Sequence, residues 1–104
     1  MTGSNEYWQT VVDALRDRGF RFRIKWSGDD DMTAWQPWVI CPVPGYVETG
    51  SLGPVSVREV EWLDVSLNDR EGADISDSIT ETLDAAGIAF SLTPESIRVA
   101  PHVA

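Results

Sequence analysis

The stretch GDDDMTAWQPWVIC, residues 28–41, concentrates more chemically capable side chains than any other part of the chain. Three consecutive carboxylates, Asp29, Asp30 and Asp31, could in principle serve a divalent cation. A calcium loop needs oxygen ligands at alternating positions, a glycine at the sixth and a glutamate at the twelfth. Counted from Asp29, those positions hold Ala34 and Ile40, so the motif fails. Three adjacent carboxylates on a short connection also repel one another and cannot converge on one ion. They read as a solvated tip between two strands, and as a candidate contact for a basic partner. No metal and no cofactor is expected.

Cys41 is the only cysteine and His102 the only histidine. Flanked by Ile40 and Pro42, the thiol has no neighbouring cation in sequence to favour the thiolate, so it reads as a small buried hydrophobe. Zinc sites need several Cys or His ligands. A Cys–His pair or a serine triad would depend on one histidine in the C-terminal tail. Gly45, Gly50 and Gly53 lack the Lys-Ser/Thr pair and the following helix of a phosphate loop. No catalytic residue is nominated, and a non-enzyme is expected.

Two charge patterns remain. Arg21, Arg23 and Lys25 alternate with Phe20, Phe22, Ile24 and Trp26, the signature of a half-buried strand. Glu59 and Glu61 are expected to face that stripe as cross-strand pairs. Left unpaired, Arg21 and Arg23 would instead form an anion contact. Asp74, Asp77, Glu81 and Asp84 fall on the outer face of a helix and form the largest single-sign patch. Of the five tryptophans, Trp35 and Trp38 point to opposite faces of a regular strand. Tryptophan is enriched at binding hot spots, which makes Trp35 a candidate partner contact.

The elements that position these groups follow from periodicity. Residues 4–18 predict an amphipathic helix with Trp8, Val11, Val12 and Leu15 on one face. Strands are expected over 20–26, 35–43 and 55–67. Pro37 puts the second on an edge or bulge, and a change of phase predicts a bend at 58–60 in the third. Residues 43–54 read as a loop. A second helix over 74–86 turns Ile75, Ile79, Leu83 and Ala86 inward, and strands at 88–92 and 97–99 close the chain. The order α-β-β-β-α-β-β predicts an α+β fold in one domain, 1–104. A mostly antiparallel sheet should carry both helices on one face.

Composition narrows function. The chain is 42% hydrophobic and carries a net charge of −9, from 17 acidic and 8 basic residues. An acidic protein has the wrong field for phosphate contacts, so nucleic acid is not an expected partner. No apolar run reaches the ~20 residues that span a membrane. The first 15 residues lack a basic start and an apolar core, and a lone cysteine requires no oxidising compartment. A cytoplasmic, bacterial protein is expected.

The second half, with VEWLDV at 60–65, a helix carrying Ile79 and Leu83, AGIAF at 86–90 and IRV at 97–99, resembles a family of small uncharacterised bacterial proteins. About 45 residues are covered, and APHVA replaces the aromatic-containing tail of that family. The resemblance implies a bacterial α+β domain and transfers no functional residue.

The leading expectation is a non-catalytic module that binds a basic protein, as immunity proteins neutralise bacterial toxins. Its candidate contacts are Asp29, Asp30, Asp31, Trp35, Asp77, Glu81 and Asp84. The alternatives are a small-ligand domain with a Trp-lined cleft, using Arg21 and Arg23, and a structural homodimer joined through an edge strand such as 35–43.

Overall fold

Trp8, Val11, Val12 and Leu15 recur every three or four residues, so winding this segment as a helix brings all four onto one side. The computed structural model, which describes residues 5–16, 18–27, 34–49, 54–69 and 71–101, forms helix α1 over Asn5–Leu15 with all four completely buried. Strand β1 (Phe22–Trp26) follows, then β2 (Val39–Ile40), β3 (Tyr46–Thr49) and β4 (Val55–Ser56). A 3-10 turn at Val57–Glu59 leads into β5 (Val60–Ser66). Helix α2 (Ser76–Ala85) and strands β6 (Ser91–Leu92) and β7 (Ser96–Val99) complete the chain.

The fold is α+β, with two antiparallel sheets ordered β1-β5-β7-β6 and β2-β3-β4. The expected order differs in two places. Residues 46–49 form a strand within the predicted loop, because Pro44 and Gly45 turn the chain just before Tyr46, Val47 and Thr49, all strand-forming types. The long strand expected over 55–67 is divided by the 3-10 turn at 57–59, where its change of phase predicts a bend. The strand expected over 35–43 is reduced to Val39–Ile40, since Pro37 has no N–H for a ladder.

In the larger sheet the register sets two kinds of row. Phe22, Val65 and Ile97 pair across three strands, as do Ile24, Leu63 and Val99, and all six are buried beneath the helices. Ile79 and Leu83 of α2 join α1 in the same core. Ala86, expected inward, is exposed because α2 ends before it, and Leu92 is 71% exposed on the edge strand β6.

Helix α2 is terminated by backbone geometry. Gly87 adopts φ +71°, its N–H donates to the Asp84 carbonyl at 3.1 Å, and the Ile88 N–H donates to the Leu83 carbonyl at 2.9 Å. Such paired bonds need a residue in the left-handed region, and the buried Ile88 and Leu83 supply the accompanying apolar contact. A Cβ at Gly87 would meet no atom within 4 Å. Gly87→Ala therefore isolates the backbone strain, and the expected loss is about 1 kcal/mol in urea unfolding. At the other end, the Asp74 carboxylate accepts from the Ser76 N–H at 2.8 Å and the Ser76 hydroxyl at 2.6 Å. These bonds hold its pKa below the ordinary carboxylate value.

Candidate functional site

On the face opposite the core, one row of the larger sheet is charged. Arg23 of β1 pairs in register with Asp64 of β5, and Asp64 with Arg98 of β7. Arg23 Nε donates to Asp64 Oδ2 at 3.1 Å. Arg98 Nε and Nη2 donate to Asp64 Oδ1 and Oδ2 at 2.8 and 3.0 Å. The Asp64 side chain is fully buried, while those of Arg23 and Arg98 are 9% and 30% exposed. Arg23 Nη2 also reaches Glu95 at 2.9 Å. A buried carboxylate is tolerated here because it accepts three charge-assisted hydrogen bonds. The same bonds raise the Arg98 pKa.

Two tryptophans cover the pair of arginines. Trp62, two residues before Asp64 on the same strand face, lies under the Arg98 guanidinium at 3.8 Å from its ring centre. Trp35 arrives from the far edge of the sheet. The backbone of Gln36 exchanges hydrogen bonds of 2.8 and 2.6 Å with Phe22, and this bridge sets Trp35 over Arg23 at 4.4 Å. Trp35 is therefore half-buried against the protein's own arginine, and its ring is already partnered.

The expected cross-strand pairs are correct at one position and displaced at the others. Lys25 pairs with Glu61 at 2.8 Å. Arg23 takes Asp64 and Glu95 instead, and Arg21 donates to Ser66 and to the Asn68 carbonyl. Glu59 is exposed on the 3-10 turn, where the backbone has left the β register. Arg23 is thus committed to two carboxylates, which weakens the anion-contact alternative. Three depressions of about 350, 390 and 540 Å³ mark the surface, and no tryptophan lines any of these three.

Asp77, Glu81 and Asp84 are all exposed on α2. Asp29, Asp30, Asp31 and His102 lie outside the described residues. Cys41 is half-buried rather than fully buried, because it follows a two-residue strand at the border of the core. Burial and the nearby Asp13 raise its pKa above the ordinary 9.0, and Arg16, a cation supplied by the fold and not by sequence neighbours, opposes them only in part. Alkylation by iodoacetamide at pH 8 should accordingly be slower in the native protein than in the urea-unfolded chain. Its rate should still be rising above pH 9. Among the described residues no group of three or more His, Cys, Asp and Glu could hold a metal ion, and no helix is long and apolar enough to cross a membrane.

Sequence reasoning missed Asp64, Arg98 and Trp62 as one cluster with Arg23. The available signal was an aspartate at a central strand position of VEWLDV, a place that normally demands a partner.

Fold and site together define a small α+β domain whose sheet cations Arg23, Lys25 and Arg98 are paired with carboxylates, and whose α2 acids Asp77, Glu81 and Asp84 have no ion-pair partner among the described residues. No family model, curated protein or solved structure matched the chain.

Proposed function

We propose that this protein is a non-catalytic module that binds a basic protein surface through the outer face of α2. One observation carries the reading: Glu81 and Asp84 of α2 are placed against the helix's own stability. Asp77 and Glu81 are four residues apart and Glu81 and Asp84 three, so like charges are neighbours, each pair costing about 0.2–0.5 kcal/mol. Asp84 also lies in the last turn, at the negative end of the helix dipole, and that turn contains no basic residue. From residue 71 to residue 97 the chain has Glu71, Asp74, Asp77, Glu81, Asp84 and Glu95 and not one Lys or Arg. By contrast, Asp64 and Glu61 on the sheet, and Glu95 in the turn before β7, are each matched to a cation. Uncompensated charge that weakens its own helix is well suited to a partner of opposite sign, where it accelerates encounter and selects against acidic surfaces. The action would be neutralisation of a basic protein by occupying its surface, as toxin-immunity proteins do.

The test is affinity capture from native lysate at low salt, with salt-step elution and mass spectrometry. A single basic protein should elute with salt and fail to bind Glu81→Gln/Asp84→Asn. Capture unchanged by that variant would refute the assignment of α2 as the contact.

A further inference from the structure

The outer face of the smaller sheet carries a second grouping of aromatic rings and a carboxylate. Val39, Val47, Thr49 and Val55 of β2, β3 and β4 are buried. Side chains alternate along a strand, so Ile40, Tyr46, Glu48 and Ser56 take the opposite face, with Ile40 paired to Glu48 and Tyr46 to Ser56. Trp38 immediately precedes β2. Trp38 and Tyr46 are 39% and 42% exposed, the only exposed aromatic rings among the described residues.

Glu48, paired with Ile40 and two residues from Tyr46 on its strand, is half-buried and makes no side-chain hydrogen bond or ion pair with any described residue. A carboxylate partly removed from water beside apolar neighbours gains from a cation delivered to it. A guanidinium matches the whole face, because it donates in a planar fork to a carboxylate while stacking on an aromatic ring. The larger sheet already contains this combination, with Arg23 on Trp35 and Arg98 on Trp62 around Asp64. The smaller sheet repeats the rings and the carboxylate, and the described residues provide no arginine to complete them.

We propose that the face formed by Trp38, Ile40, Tyr46 and Glu48 receives an arginine side chain presented by a partner protein. The protein's net charge of −9 draws a basic surface towards it, and exposed Trp and Tyr are the residue types that anchor such contacts. This contact uses different elements from the acidic helix and does not depend on it.

The experiment titrates the ¹⁵N-labelled full chain with acetylated tetra-arginine, and in parallel with acetylated tetra-lysine of equal charge. Saturable shifts are expected at the Trp38 indole and at the Ile40, Tyr46 and Glu48 amides, with tetra-arginine the tighter ligand. Trp38→Ala and Glu48→Gln should each weaken it about tenfold, the scale of one stacking or charge-assisted contact. Unshifted core resonances in both variants establish that they fold. The Glu81→Gln/Asp84→Asn variant should retain the response at Glu48. Shifts confined to Asp77, Glu81 and Asp84 would overturn the proposal while leaving the acidic-helix reading intact. Equal response to both peptides, absence of saturation, or a dimer dispersed by Trp38→Ala would also overturn it.

Discussion

Asp64→Ala should remove about 3–5 kcal/mol from the unfolding free energy, the largest loss expected of any single charge among the described residues. The substitution deletes the one carboxylate that both arginines share. Arg23, with a side chain 9% exposed, would retain the Trp35 ring and, as its carboxylate, Glu95, which is itself 65% exposed and hence a weak, solvent-screened partner. Arg98 would lose both of its hydrogen bonds to the row. The cost is that of stranded cations, and it does not measure the net worth of the network. Replacing the whole row at once, by Arg23→Met, Asp64→Leu and Arg98→Met, should therefore recover most of the loss, since apolar groups of similar volume need no partners. Urea unfolding followed by tryptophan fluorescence reports both variants, and Trp35 and Trp62 sense the row directly. A loss below about 1 kcal/mol for Asp64→Ala would mean that water reaches the cluster and compensates the arginines.

Glu81→Gln/Asp84→Asn should move stability and binding in opposite directions. Both repulsive pairs disappear, and so does the unfavourable charge in the last turn, while Asp77 in the first turn keeps its favourable place near the positive end of the dipole. Helix propensities barely change, so a gain of about 1 kcal/mol is expected. Association with a basic partner should slow by on the order of tenfold at low salt, and the difference should shrink as salt is added. Thermal unfolding and stopped-flow mixing with the captured protein measure the two effects. A variant that is more stable and binds equally well would leave the acidic stripe without a role in recognition.

These effects show how unevenly the molecule can be read from its residues. Both helices and their inward faces are legible, because Trp8, Val11, Val12, Leu15, Ile79 and Leu83 follow a period that only a helix turns into one side. The acids of α2 are legible for the same reason, being the complement of that face. Strand β3 is not, because four residues between turn-forming segments carry too short a pattern to outweigh their surroundings. Trp35 has the residue type of a partner contact and is instead stacked on Arg23. Its position depends on the bridge between Gln36 and Phe22, a pairing of the chain with itself across a turn whose length and shape no local pattern encodes. Trp38, three residues later, is the more exposed of the two.

By itself, then, the amino-acid sequence determined an acidic α+β domain with two amphipathic helices, an alternating basic strand and a bare acidic helix face, all properties set by residues within a few positions of one another. Only the tertiary structure decided which charges meet. Asp64 lies 41 residues from Arg23 and 34 from Arg98, and strand register brings the three into one row. Register is a property of the assembled sheet, fixed by burying Phe22, Val65 and Ile97 on the opposite face. The cations it neutralises therefore emerge only when the core closes.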